Sequence, residues 1–293
     1  MDKVSAPRNK KAAKGGKSAA AGREADRPQT VTAPVLRLGR ESTEAGSRVL
    51  ANEVPVSVAF SGEPHAVMMM TPDHLEDFVV GFSLTERIVP RPEDILLIEL
   101  QTLSEGIVVN VEIPPEHRGA LEGRRRALPG RSGCGMCGIA DLEQALPVLA
   151  PLSGCPRIGR EAVFAALDGL EPWQSLNKAT GAVHAAAFCR SDGDIVAVRE
   201  DVGRHNALDK LIGHLVRTRV ERSEGFVLLT SRCSYELVQK TVMARIPLLA
   251  TISAPTALAV EIAQESKLTL LALARQDSML CLSDPFGVFD AVG

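Results

Sequence analysis

Two thiols stand three positions apart in the segment Gly133-Cys134-Gly135-Met136-Cys137-Gly138. Glycine tolerates backbone angles that other residues avoid, so this spacing predicts an exposed loop that bends and lets a partner reach both sulfurs. The apolar run at 139–146 reads as a helix, which places Cys137 just before its first turn. Free N–H groups and the helix dipole at such a position favour a thiolate over a thiol. A thiolate attacks sulfur, ligates metal or carries sulfane sulfur.

Four readings compete for the pair. A closed zinc site takes four ligands, usually as two close pairs, yet Cys155, Cys189, Cys233 and Cys281 are isolated and no His-x₃₋₅-His occurs. A thioredoxin-like redox pair sits directly after a strand in a small βαβ unit. This one instead follows the arginine-rich stretch Arg124, Arg125, Arg126 and Arg131. A zinc deaminase needs His-x-Glu ahead of Pro-Cys-x-x-Cys, whereas His184-Ala185-Ala186 lacks the Glu and comes after the pair. A sulfur carrier needs one accessible nucleophilic Cys with a neighbour that tunes or resolves it, and the loop meets that description.

A second group of reactive types follows a series of short apolar runs. These are Asp201-Val202-Gly203-Arg204-His205-Asn206, Ser231-Arg232-Cys233-Ser234, Ser253-Ala254-Pro255-Thr256 and Arg275-Gln276-Asp277-Ser278. The first three open helices, and three of the four carry an arginine. Alone, each hydroxyl reads as a helix cap and each arginine as an ion-pair partner. Together, hydroxyls, arginines and helix starts suit a phosphate-bearing ligand. His205 suits a ligand contact and a structural role equally, while His184, at the start of a strand, reads as a packed core histidine. Cys155, Cys189 and Cys281 read as small buried apolar side chains; Cys233 lies in a ligand turn.

The elements that must hold these groups are legible from periodicity. Residues 54–60 and 66–70 flank Ser61-Gly62-Glu63-Pro64 as a hairpin, and ordered structure is expected to begin near Val49. Thr71-Pro72 reads as N-cap and first residue of a helix striped by Leu75, Phe78, Val79 and Phe82. Residues 95–103 and 106–113 form another strand pair. Beyond 184, a hairpin around Ser191-Asp192-Gly193 leads to a helix striped by Ala207, Leu208, Leu211, Ile212, Leu215 and Val216. Strands at 226–230, 247–252 and 268–274 then alternate with helices at 235–245 and 256–266, which predicts βαβ units and a parallel sheet in the C-terminal half. Parallel strands share one carboxyl edge, and ligands of open α/β sheets bind outside it. The expected organisation is a disordered basic tail over 1–30, a smaller β-rich part with one helix over 31–130, the thiol loop and its helix over 131–157, and an α/β unit over 158–293.

Composition narrows the function further. Of 293 residues, 45% are apolar and 24% charged, and the net charge is −3. No basic excess supports general nucleic-acid binding, and one Trp and one Tyr leave little to stack bases on. The longest apolar stretch, 246–263, contains Pro247, Pro255 and Glu261 and reads as strand plus helix, so no membrane partner is expected. Without a secretory signal or a disulfide rhythm among its six cysteines, the chain is expected in a reducing cytoplasm.

Taken together these segments resemble the FdhD/NarQ family of sulfur carriers needed for formate dehydrogenase activity. The matching stretches are Thr71-Pro72-Asp73-His74-Leu75-Glu76-Asp77 with Gly81-Phe82, Cys134 to Gly138, Thr180-Gly181-Ala182-Val183-His184-Ala185-Ala186, the block Glu200 to Lys210, Ser231 to Glu236, and Ser253 to Thr256. They run in family order from about 50 to 280, and the block from Glu200 is the most specific. The resemblance implies an α/β fold with a cytidine-deaminase-like mixed sheet, βαβ units in the C-terminal half and a smaller N-terminal β-rich part, without deaminase chemistry. It implies that a cysteine desulfurase loads a persulfide on Cys134, with Cys137 as second thiol. The sulfur then passes to the molybdenum of a bis(molybdopterin guanine dinucleotide) cofactor, bound as substrate, before insertion into the formate dehydrogenase catalytic subunit. It also implies a homodimer, and a cofactor segment over Leu273, Ala274, Arg275, Gln276, Asp277 and Ser278; Arg204, His205, Ser231 and Arg232, read from the turns at the carboxyl edge, are expected to join it. That segment departs from the family pattern, which has an aromatic and a glycine where this chain has Leu273 and Gln276; no resident metal is expected. A cofactor-binding chaperone whose thiols carry no sulfur is the alternative.

Overall fold

Every residue of the strand Gly225–Leu229 is buried, as expected of a strand covered on both faces. Alternation sends Phe226 and Leu228 into a core with Ala187, Val163, Leu248 and Ala250. Val227 and Leu229 join the opposite core with Leu208, Leu211, Leu237 and Leu249. Each such side chain contributes roughly 1.5–3 kcal/mol by leaving water. The computed structural model describes residues 27–122 and 148–289.

The first part holds two sheets. Strands β1 (Thr30–Leu38) and β2 (Thr43–Ala51) form an antiparallel hairpin of their own. Strands β3 (Val54–Phe60), β4 (Glu63–Met70), β5 (Leu97–Thr102) and β6 (Ile107–Glu112) make a four-stranded sheet in the order β4-β3-β6-β5. Helix α1 (Leu75–Thr85) buries Phe78, Val79 and Phe82 against that sheet, and α2 (Pro115–Glu122) follows β6.

The second part opens with α3 (Arg160–Gly169) and α4 (Ser175–Thr180). There follow β7 (His184–Arg190), β8 (Ile195–Asp201), α5 (Arg204–Arg217), β9 (Gly225–Leu229) and α6 (Tyr235–Met243). The chain continues through β10 (Leu248–Thr251), α7 (Ala257–Glu265), β11 (Thr269–Ala272) and β12 (Leu280–Ser283). The six strands are ordered β12-β11-β10-β9-β7-β8. The mixed α/β architecture expected from the pattern is the one observed.

Four expectations are corrected. Structure begins well before Val49: Arg27 donates to the Leu103 and Ser104 carbonyls, Gln29 reaches Asp73, and Thr30 opens β1. The hairpin it opens is largely exposed on both faces, so it lacks the buried alternation that announces a strand. Thr71-Pro72 does not start α1; the helix begins at Leu75 behind His74, which takes a left-handed φ of 50°. The Thr71 hydroxyl donates instead to Asp201 at 2.8 Å, a tertiary contact that outcompetes the local cap. The parallel sheet read from the strand–helix alternation holds only across β9, β10 and β11; β7 and β12 run against their neighbours, which makes it the mixed sheet that the resemblance implied. Lastly, Cys281 is exposed and Cys155 only half-buried, leaving Cys189 as the one buried thiol of those three.

The two parts are joined by α1 and α5, which cross at Gly81 and Gly213. A Cβ on Gly81 would overlap the Asp209 carbonyl, and one on Gly213 the Asp77 carbonyl. Backbone meets backbone there, so only glycine fits. Buried charges flank the crossing. Lys210, fully buried, donates to Asp201 at 2.7 Å, Asp73 at 3.0 Å and the Thr71 carbonyl at 3.1 Å. Lys240 reaches Asp209 at 2.9 Å and Glu86 at 3.1 Å. On the outer side Arg199 and Arg217 both hold Asp77.

Candidate functional site

Strand β7 is antiparallel to both β8 and β9, so β8 runs in the same sense as β9, β10 and β11. All four carboxyl ends therefore meet one edge of the sheet, where β7 begins. The turn after β8 is built by Asp201. Its carboxylate accepts from the Gly203 amide at 2.8 Å, Asn206 Nδ2 at 3.1 Å, the Thr71 amide at 3.1 Å and the Lys210 ammonium. With Asp201 so occupied, Arg204 opens α5 with its Nε buried and without a hydrogen-bond partner. Next to it, His205 Nε2 lies 2.9 Å from Glu236 Oε2 and 3.2 Å from Ser234 Oγ.

After β9, Ser231 is buried and its hydroxyl donates to the Arg232 carbonyl at 3.0 Å, while Arg232 is exposed. The Cys233 amide donates to the Ala254 carbonyl at 3.2 Å, and the Thr256 amide donates back to the Cys233 carbonyl at 3.0 Å. These bonds fuse the turns after β9 and β10, and Thr256 caps α7 through the Ala259 amide. The turn after β11 is tied on by the Leu273 and Ala274 amides, which reach the Ser253 and Thr251 carbonyls at 3.4 and 3.1 Å. Leu273 has φ 51°, an uncommon conformation for a bulky residue. Residues 275–278 are exposed and closed by the Arg275 amide on the Ser278 carbonyl at 2.8 Å.

Not all the expected residues share one neighbourhood. Arg204 follows β8 and Arg232 follows β9, with β7 between them. At about 4.8 Å per strand they lie roughly 10 Å apart along the edge. Arg275 follows β11, another two strands on, so roughly 19 Å separates it from Arg204. A single phosphate cannot touch all three.

Two residues of the edge escaped the sequence reading. His184 is not a core histidine. It pairs in register with Asp201 on one side, and its neighbour Ala185 exchanges hydrogen bonds with Thr230 on the other. It is half-buried, and its imidazole forms no hydrogen bond with a described residue. Burial pushes its pKa down, and the charges of Arg204, His205 and Arg232 push it the same way. The register of the hairpin around Gly193 was the available signal. Glu236 was overlooked as a helical residue; its place two positions after Ser234 was the only hint.

The described thiols are poor nucleophiles. Burial pushes Cys189 and Cys233 up to about 12 and Cys155 up to about 11, and it raises Cys281 too. Cys233, though in a ligand turn, is fully buried. Cys134, Cys137 and the arginines at 124–131 lie outside the described residues. Among the described residues no His, Cys, Asp and Glu group could hold a metal ion, and no helix is long and apolar enough to cross a membrane.

The model of the FdhD/NarQ family matches residues 51–288. A protein of Xanthomonas campestris pv. campestris (strain B100) named sulfur carrier protein FdhD is 48% identical over 259 residues, 88% of this chain and 92% of that one. One of the same name from Bordetella bronchiseptica is 43% identical, with 89% and 95% covered. A crystal structure from Desulfotalea psychrophila, described as a "putative formate dehydrogenase accessory protein", shares the fold with a TM-score of 0.69 at 21% identity, over 88% of this chain and 98% of that one.

Proposed function

The chain belongs to the FdhD/NarQ family, and from that premise we propose that it is a sulfurtransferase, a sulfur carrier for formate dehydrogenase. Cys134 attacks the terminal sulfur of a cysteine desulfurase persulfide; the S–S bond of the donor breaks and its cysteine leaves as thiolate. The sulfur now sits on Cys134 as a persulfide, with no net change of oxidation state. Attack of the Cys137 thiolate on the Cys134 sulfur then closes a disulfide and expels hydrosulfide, the two electrons coming from the Cys134–Cys137 dithiol as it becomes the disulfide. A thiol reductant reopens the disulfide.

The acceptor is the molybdenum of a bis(molybdopterin guanine dinucleotide), held as substrate at the carboxyl edge and passed on to the catalytic subunit. The observation that carries this cargo reading is the cluster of Arg204, Arg232 and His184, to which no described carboxylate is committed. Arginine and helix N-terminal amides are the usual partners of phosphate. An exposed Arg275 farther along the edge suits the length of a dinucleotide rather than that of a single phosphate. Residues 273–278, Ser231 and His205 complete the binding edge, with His205 oriented by Glu236. A homodimer and a cytoplasmic location belong to the same reading.

Activation of a molybdenum-loaded, sulfur-free formate dehydrogenase by desulfurase, cysteine and this protein tests it. Cys134→Ala and Cys137→Ala should each remove most of the activation while leaving the fold intact. Full activation by both variants would leave the chaperone reading in its place.

A further inference from the structure

The geometry points to His184 as a third ligand of the phosphate group bound between Arg204 and Arg232, taking up a proton as that group enters. This deepens the cargo reading above and rests on it. His184 stands at the head of β7, the strand between those that carry the two arginines. On the β8 side its register partner Asp201 has both carboxylate oxygens occupied by Lys210, Thr71, Gly203 and Asn206. The charges of Arg204 and His205 on α5 and of Arg232 in the turn after β9 act on it; the buried Nε of Arg204 lacks a partner, and His205 Nε2 is held by Glu236 of α6. Among the described residues no carboxylate pairs with its imidazole or with either arginine.

Without a bound anion, burial and then Arg204, His205 and Arg232 oppose a charge on the imidazole. A phosphate between the arginines reverses that field and makes a protonated imidazole a donor to the ligand. By linkage, the ligand raises the affinity of His184 for a proton by the same factor as the proton raises affinity for the ligand. Binding is therefore tighter at low pH, and the gain fades as pH rises through the value His184 takes in the complex. The contribution is a tunable one, unlike that of the arginines, which are charged throughout.

Guanosine diphosphate serves as the probe, with the imidazole resonances of His184 followed by NMR in the full-length protein. Their titration midpoint should rise by about one unit or more on saturation, equivalent to about tenfold tighter binding by the protonated form. His184→Gln, which keeps a polar side chain of similar size, should bind the probe about tenfold more weakly at pH 6 and converge with the wild type by pH 8.5. Ionisation of the probe itself is common to both proteins and cancels in the comparison. Binding to the wild type with an unmoved His184 midpoint would overturn this assignment alone. No binding to the wild type would overturn the cargo reading and this one with it.

Discussion

At the scale of single residues the chemistry divides between thiols and cations. Burial raises the pKa of every described thiol, which favours Cys134 and Cys137, outside the described residues, as the carriers proposed here. The cations can be ranked by position. Arg204→Ala or Arg232→Ala should weaken guanosine diphosphate binding by roughly 10- to 100-fold, about 1.5–3 kcal/mol, as calorimetry would read it. Arg275→Ala should matter for the dinucleotide and much less for the diphosphate, because roughly 10 Å of sheet edge lies between it and Arg232. Unchanged diphosphate affinity in both of the first two variants would remove the crevice as the phosphate site. The arginines were legible because each follows an apolar run. His184 was not, because only strand register, which places it opposite Asp201, reveals what it faces.

At the scale of elements, much of the specific block from Glu200 to Lys210 serves construction. Glu200 accepts from the Leu176 and Asn177 amides at 2.8 Å each and so caps α4. Asp209 of α5 accepts from Thr85 of α1, and Lys210 of α5 joins Asp201 to Thr71 and Asp73 just ahead of α1. Gly213→Ala forces Cβ onto backbone and should cost about 1–3 kcal/mol or more, read from the urea midpoint. Lys210→Met leaves Asp73 and Asp201 buried without their partner, at a cost of about 3–5 kcal/mol. Acid stability has a cause here too. Burial pushes Asp73 up, but Lys210 and His74 outweigh it, and the group ends below its ordinary 3.8. Its stabilisation is therefore full above 3.8 and is lost as pH falls through the lower, folded value. Asp73→Asn should flatten stability across that window. A stability curve as steep as that of the wild type there would assign the acid sensitivity elsewhere. The α1 stripe was legible from spacing, whereas its start was not: the partners that draw Thr71 away lie far off in sequence at Asp201 and Lys210.

At the scale of the molecule, one sheet edge gathers turns from four strands, and its common sense of direction survives the two antiparallel strands. The alternation of strands and helices revealed that edge in advance, and the hairpin around Ser191-Asp192-Gly193 revealed the reversal between β7 and β8; the reversal of β12 leaves no mark in the apolar pattern. The hairpin of β1 and β2 was missed because its strands bury little, although Arg48 ties it to the Thr180 carbonyl at 3.1 Å. Removing residues 2–26, which offer almost no apolar surface to offset ordering, should leave the melting temperature unchanged. Extending the deletion to residue 30 should lower it, since Arg27 and Gln29 make contacts across the fold. The central claim is that sulfur travels on this chain, and mass spectrometry after incubation with a cysteine desulfurase and cysteine tests it most directly. The account predicts an added mass of one sulfur, about 32 Da, mapped to the peptide with Cys134, removed by a thiol reductant and absent from Cys134→Ala. Sulfur mapped to Cys233 or Cys281 instead, or none at all on a protein that still activates its client, would contradict it.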